Sequence, residues 1–221
     1  PEKVALVTEE YEPELWAAKR YLVPAMLPGD AAGHLKNVLE AVERGDDAGP
    51  MIRIAYRSMT NRSLAERGWQ EFNPSVNGLG FVNNRATDGE GDLPALVIAN
   101  DPSIVFITMG LNDNFSYDRA ANQIRLRITE DFTRLATALP DARFIVVEPF
   151  WYTDRRPESV EVIIGWVRDA AAAIGADYIP GASHWIEGHP EWMASDGLHP
   201  NDAGYAAMAT RMDAELTKLG L

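Results

Sequence analysis

From residue 51 onward, short apolar runs alternate with longer segments of helical periodicity. This alternation is typical of a parallel sheet that is covered by helices. The predicted strands are residues 52–56, 80–83, 104–109, 144–148 and 177–179. The predicted helices are residues 64–72, 92–98, 119–139 and 157–174, followed by a last helix that begins at an Asn201 cap. The pattern therefore predicts a single α/β domain over residues 51–221.

Residues 1–50 are interpreted as an N-terminal extension, and their role is left open. The apolar run 4–7 fits either a short strand or an extended arm, and residues 12–22 have the periodicity of a helix. A second helix is predicted after Asp30. The polar segment 43–50 contains Gly and Pro, so it marks either a linker or the edge of the main domain.

The charge balance makes some classes of partner unlikely. The chain has 20 basic and 33 acidic residues, a formal charge of −13, which disfavours nucleic acid and anionic lipid surfaces. The absence of cysteine excludes disulfides, a thiol nucleophile and thiolate metal sites. No run approaches the roughly 18 apolar residues of a membrane span. The lack of such a run predicts a soluble protein, and the start at Pro1 fits a mature protein after signal removal; whether the protein is secreted or cytoplasmic is left open. The oligomeric state is left open.

Polar residues follow three of the predicted strands, and a second set precedes the last helix. In an open α/β sheet, ligands bind outside the carboxyl ends of the strands, where Ser58, Gly89 and Asn112 are expected. Asp196 stands three residues before His199 in a short loop. Asp196 can fix the tautomer of His199, which can then accept a proton from a nucleophile. These residues supply the parts of a serine hydrolase.

In this hypothesis Ser58 is the nucleophile, His199 the general base and Asp196 the residue that orients the imidazole. The backbone N–H groups of Ser58 and Gly89 and the side-chain amide of Asn112 are expected to form an oxyanion hole, with Gly91 left open as the donor in place of Gly89. The alternative is that these residues have only local structural roles. A serine after a strand often bonds only to local backbone groups, and the Asp196 and His199 pair also fits an ordinary capped loop.

Further residues bear on the substrate and on metals. We expect Trp151 and Trp185 to line the substrate site, because aromatic side chains often form pocket walls for sugar faces or acyl chains. Other tryptophans, such as Trp166, are expected to pack in the core. The spacing of His184, His189 and His199 fits no common pair of metal ligands, so no metal is expected. Asp113 is expected to brace its loop rather than to act as an acid.

The order of these motifs resembles the SGNH/GDSL hydrolase superfamily. Gly110-Leu111-Asn112-Asp113 is similar to its G-x-N-D block, and the stretch 196–205, Asp-Gly-Leu-His-Pro-Asn-Asp-Ala-Gly-Tyr, is similar to its last block. The resemblance extends over residues 51–221. It implies a three-layer α/β/α flavodoxin-like fold with a mostly parallel five-stranded sheet, and ester hydrolysis by a Ser-His-Asp triad without metal or cofactor. Within the superfamily, the last block is most similar to that of carbohydrate and small-acyl esterases.

The first block departs from the family pattern, because Tyr56 and Arg57 precede Ser58 where the family has Gly and Asp. From the residues and the resemblance together, we still expect a serine esterase or deacylase that acts on a short acyl ester of a sugar or of a small lipid. Two alternatives stay open. One is an SGNH-like binding module with impaired chemistry, and the other is an acyltransferase that uses the same triad.

Overall fold

The central feature is a parallel five-stranded sheet. The computed structural model describes residues 3–8, 69–72, 74–75, 78–85, 92–195 and 197–221. The strand order is β2-β1-β3-β4-β5, and all neighbouring strands are parallel. This is the order of flavodoxin-like folds, so the predicted fold class is confirmed. The strands are β1 (Lys3–Thr8), β2 (Gln70–Phe72), β3 (Ile104–Thr108), β4 (Arg143–Val147) and β5 (Asp177–Ile179).

From β2 onward, the described helices alternate with the strands along the chain. They are α1 (Leu93–Asn100), α2 (Tyr117–Ala138), α3 (Glu158–Ala173) and α4 (Asp202–Lys218). Short 3-10 turns form at Asn112–Ser116, Ala182–His184 and Pro190–Trp192. The helices predicted over 92–98, 119–139 and 157–174, and the helix after Asn201, are therefore confirmed. None of these described helices is both long enough and apolar enough to cross a bilayer.

The central strands β3 and β4 are apolar over most of their length, with Thr108 and Arg143 at their ends, because both of their faces are covered. On one face, alternate residues of β3 and β4 pack with α1, α2 and α3, and on the other face the intervening residues pack with α4. Thus α4 lies alone, among the described helices, on its side of the sheet. The first set of strand residues is Val105, Ile107, Phe144 and Val146, and the second is Ile104, Phe106, Ile145, Val147 and Ile179.

Strand β1 gives part of the N-terminal extension a place in the sheet. Its residues pair with β3 from Val4↔Ile104 to Thr8↔Thr108, and with β2 on its other side. Residues 4–7 are therefore a strand and not an extended arm. The strand predicted over 52–56 and the helices predicted before residue 50 lie outside the described residues. The domain division at residue 50 stays a prediction.

Two predicted elements differ from the structure. Residues 80–83, predicted as a strand, form a turn in which Gly80 N donates to Asn83 O at 2.9 Å. This prediction was wrong because the N–H groups of that turn bond to a side-chain carboxylate instead of a neighbouring strand. The helix predicted over 64–72 is wrong at its C-terminal end, where residues 70–72 form β2. Residues 64–68 lie outside the described part.

The packing of α2 against the sheet makes a prediction about stability. Ile128 is fully buried in the cluster between α2 and the sheet, whereas Leu126, on the same helix, is exposed. We expect Ile128→Ala to lower the free energy of unfolding by about 2–5 kcal/mol through lost burial and a cavity. The matched control Leu126→Ala should change it by less than about 0.5 kcal/mol. Urea denaturation measures both, and equal effects would contradict this packing.

Candidate active site

Asn112 lies at the carboxyl edge of the sheet, four residues after β3 ends. Its side-chain Nδ2 donates to the backbone oxygen of Leu79 at 3.3 Å. The chain reaches this point through Gly110, which has φ +128° and where an added Cβ would lie 2.9 Å from Pro149 Cγ. Glycine is therefore required at the turn out of β3. The structure brings the loop after β3 against residues 78–85, a segment that we call the glycine loop.

Asp113 fixes the glycine loop from the inside. Its carboxylate is fully buried and accepts hydrogen bonds from Phe81 N at 2.7 Å, Val82 N at 2.8 Å and Asn83 N at 3.1 Å. Burial raises the pKa of the Asp113 carboxyl, and the three N–H donors oppose that rise. A Cβ at Gly80 would lie 2.6 Å from Asp113 Oδ2, so the carboxylate and the loop can approach this closely only with glycine there. These contacts agree with the expectation that Asp113 braces its loop.

The side-chain amide of Asn83 forms two further hydrogen bonds in the glycine loop. Asn83 Nδ2 donates to the Gly78 oxygen at 2.9 Å, and Ser116 Oγ donates to Asn83 Oδ1 at 2.6 Å. The sequence interpretation missed this loop and placed the oxyanion glycine at Gly89. Gly89 lies outside the described residues, so that prediction is untested. The available signal was the turn-forming run Asn77-Gly78-Leu79-Gly80.

His199 lies at the same edge of the sheet as Asn112. Arg143, the first residue of β4, donates from Nη2 to the Leu219 oxygen at 2.8 Å, so the C-terminal end of α4 lies at the amino edge of the sheet. Helix α4 packs along the sheet and has 17 residues, a length of roughly 25 Å. Its N-terminal end is therefore at the carboxyl edge, and His199 precedes that end by three residues.

The loop that carries His199 is held by backbone contacts and by a helix cap. Ala194 N donates to the His199 oxygen at 2.8 Å, and Met193 forms a bridge with Pro200. Asn201 Oδ1 accepts from the first N–H groups of α4, while its Nδ2 donates to the Glu191 oxygen at 2.7 Å. The Asn201 side chain thus fixes the start of α4 and also holds the chain at Glu191 next to it.

Glu148 joins the ends of β4 and β5 at the same edge. Its buried carboxylate accepts from Gly181 N at 2.8 Å, from Ser183 N at 3.1 Å and from Ser183 Oγ at 2.6 Å. These bonds fix the first turn of the segment that leads from β5 towards His199. Burial and the charge of Glu148 raise the pKa of Tyr178 on β5.

The two predicted substrate-site tryptophans are packed in the interior. Trp151 is 4% exposed, and its Nε1 donates to Thr153 Oγ1 at 3.0 Å and to the Arg155 oxygen at 3.1 Å. Trp185 is 7% exposed and packs against Phe150, with ring centroids 5.6 Å apart. A contact between either ring and a substrate would require neighbouring side chains to move, so their role in binding stays a prediction.

Ser58 and Asp196, the other predicted members of the triad, lie outside the described residues. Of the seven predicted site residues, the structure thus describes Asn112, His199 and the two tryptophans. Within the described ranges, no group of three His, Asp or Glu side chains is arranged to hold a metal ion.

Comparisons with known proteins agree with this architecture. Residues 47–207 match the profile of a family described as GDSL-like lipase/acylhydrolase. A GDSL lipase of Mycobacterium tuberculosis is 29% identical over 173 residues, which cover 76% of this chain and 74% of that protein. The crystal structure of TesA matches with a TM-score of 0.63 at 17% identity and covers 99% of both chains. The psychrotrophic esterase EstA from Pseudoalteromonas sp. matches with a TM-score of 0.60 at 14% identity, over 99% of this chain and 98% of that chain. The two structural matches show a shared fold.

The buried carboxylate makes a prediction of its own. In Asp113→Asn, only one oxygen remains to accept the three N–H groups that now bond to two oxygens. We expect the variant to lower the free energy of unfolding by about 1–3 kcal/mol, the cost of a buried donor without a partner. Urea denaturation measures the change. The control Asp141→Asn removes an exposed carboxylate and should have little effect, and equal stability of the two variants would contradict the bracing role.

Proposed function

The chain belongs to the GDSL-like lipase/acylhydrolase family, which makes it an ester hydrolase, and we propose that Ser58, His199 and Asp196 form its catalytic triad. The observation that carries the proposal is the common position of Asn112 and His199 at the carboxyl edge of the sheet. These residues come from two different motifs of the sequence. Parallel topology brings their loops to the edge where α/β enzymes bind their ligands.

The proposed reaction proceeds through an acyl-enzyme. Ser58 Oγ attacks the carbonyl carbon of the ester while His199 accepts the hydroxyl proton, and Asp196 stabilises the imidazolium that forms. The tetrahedral intermediate then collapses, and the alcohol leaves with the proton from His199. Water then attacks the carbonyl carbon of the acyl-enzyme while His199 accepts a proton from it. The second tetrahedral intermediate collapses, His199 returns the proton to Ser58 Oγ, and the acid is released.

The negative charge on the tetrahedral oxygen requires donors that are already in place. We assign this role to the Asn112 amide and to the backbone N–H groups of Ser58 and Gly89. The contact between Asn112 and Leu79 supports a second assignment, in which the glycine loop supplies the backbone donor in place of Gly89. Loss of one oxyanion donor typically costs about 2.7–4 kcal/mol of barrier, so the two assignments predict different sensitive positions.

For the substrate, we propose an uncharged ester of a short acyl group with a sugar or a small lipid alcohol. Two exposed apolar side chains, Phe115 and Leu198, support the proposal of an apolar rim that contacts the acyl group. Phe115, three residues after Asn112, is 53% exposed, and Leu198, directly before His199, is 36% exposed. The net charge of −13 disfavours a polyanionic substrate. The proposal also keeps Trp151 and Trp185 as residues of the substrate site, through movements of the side chains that cover them.

The triad is tested by removal of the nucleophile. Ser58→Ala should lower kcat for 4-nitrophenyl acetate by about 10⁴-fold or more, because no hydroxyl remains to form the acyl-enzyme. His199→Ala should cause a similar loss. The control Ser63→Ala removes a hydroxyl five residues further along and should retain activity. Equal nitrophenol release by wild type and Ser58→Ala would contradict the assignment.

The same assay separates the alternatives. A binding module would release nitrophenol only at the background rate in both the wild type and Ser58→Ala. An acyltransferase would transfer the acetyl group to an added alcohol or sugar in preference to water, which chromatography of the products detects. We expect acetate as the main product.

The apolar rim makes a prediction about acyl length. Phe115→Ala should lower kcat/KM for a hexanoyl ester by about tenfold, and should affect an acetyl ester much less, because the longer chain loses an apolar contact. Leu126→Ala, which removes an exposed apolar side chain from α2, is the matched control. A series of 4-nitrophenyl esters from acetyl to octanoyl measures the effect. An equal loss for every chain length would contradict a contact between Phe115 and the acyl group.

A further inference from the structure

Arg85, the last residue of the glycine loop, forms an ion pair with Asp131 of α2. Arg85 Nη2 donates to Asp131 Oδ1 at 3.1 Å, and Arg85 Nη1 bonds to Asp131 Oδ2. The side chains are 22% and 9% exposed, so the pair is largely shielded from water. A bidentate pair of this kind fixes the orientation of both planar groups as well as their distance.

The same guanidinium reaches the backbone of the glycine loop. Arg85 Nη1 donates to the Phe81 oxygen at 3.3 Å, while Phe81 N donates to Asp113 Oδ2 at 2.7 Å. The Phe81 ring packs against Phe132 of α2, with ring centroids 6.1 Å apart. Phe81 is therefore held through its N–H, its carbonyl and its side chain. Two contacts connect it to α2, the ring contact with Phe132 and the link through Arg85 to Asp131.

Leu79 transmits this position to the candidate site. It lies two residues before Phe81, and its carbonyl accepts from the Asn112 amide at 3.3 Å. A displacement of the glycine loop would move this acceptor and rotate the plane of the amide. Since an oxyanion donor acts only over a narrow range of distance and angle, a shift of about 1 Å is enough to weaken catalysis.

We propose that the Arg85–Asp131 pair positions the glycine loop and, through the Leu79 carbonyl, the Asn112 amide for stabilisation of the oxyanion. The inference rests on the proposed function, because it assigns the two residues a role in the same reaction. Both are positioning residues, since their described contacts reach Asn112 only through the loop.

The charged residues around Arg85 indicate which substitution is the best test. Asp92 contacts Arg85 Nη2 at 3.5 Å and also pairs with Arg134. Asp92 and Arg134 are 43% and 45% exposed, so water screens this outer part of the cluster. Asp131 makes the shorter and more buried contact with Arg85. A substitution at Asp131 therefore tests the Arg85–Asp131 pair most directly.

The experiment compares Asp131→Asn with Glu130→Gln. The first change removes the charge that holds Arg85, and the second removes a carboxylate on the neighbouring residue, whose partner is the exposed Arg127. A fluorophosphonate that reacts with the serine nucleophile titrates the folded, active fraction of each protein. Steady-state assays with 4-nitrophenyl acetate then give KM, and kcat per titrated site.

For Asp131→Asn we expect kcat per titrated site to fall by about tenfold, with KM within about twofold of the wild type, because the oxyanion is present only in the transition state. Glu130→Gln should leave both constants unchanged. A merely structural role of Asp131 would lower the titrated fraction and leave kcat per site unchanged, and that result would overturn the inference.

A second variant covers the case in which Asp131→Asn does not fold. Arg85→Lys keeps the positive charge but replaces the planar fork that bonds to both Asp131 and Phe81 by a single ammonium. It should lower kcat per site in the same way, and unchanged kcat per site would overturn the inference. If the wild type is active and Asn112→Ala lowers kcat, but neither Asp131→Asn nor Arg85→Lys does, the positioning role fails and the proposed function stands. An inactive wild type contradicts the proposed function, and the positioning role falls with it.

Discussion

The buried carboxylate of Asp113 is the constraint on which the described site depends. A carboxylate without solvent contact requires donors, and here three consecutive backbone N–H groups of the glycine loop supply them. This arrangement makes residues 81–83 a turn, and it leaves no room for a Cβ at Gly80. Because Asp113 is adjacent to Asn112, the same bonds set the distance between the loop after β3 and the glycine loop.

The sequence was most informative where burial leaves a continuous apolar pattern. Strands β3 and β4 are covered on both faces, so their runs were recognisable, and α2 has a clear helical stripe. Strand β2 is three residues long at the sheet edge and reads Gln-Glu-Phe, which carries no strand periodicity. Residues 80–83 appeared strand-like because apolar side chains are equally compatible with a buried turn whose N–H groups bond to a distant carboxylate.

For the candidate site, local motifs predicted Asn112 and His199, and the parallel topology explains why their loops reach one edge. No local sequence motif indicated the Arg85–Asp131 pair. The two residues are 46 positions apart, and only the packing of α2 beside the glycine loop brings them together. The roles of Ser58, Gly89 and Asp196 stay predictions, since these residues lie outside the described part of the chain.

The proposed reaction depends on the hydroxyl of Ser58 as the nucleophile of an esterase at this edge of the sheet. Reaction of the full chain with a fluorophosphonate, followed by peptide mapping by mass spectrometry, tests it most directly. We expect one phosphonyl adduct per chain, on Ser58, which does not form when His199 is replaced by alanine. An adduct on a different residue, or ester hydrolysis by a chain that forms no adduct, would contradict it.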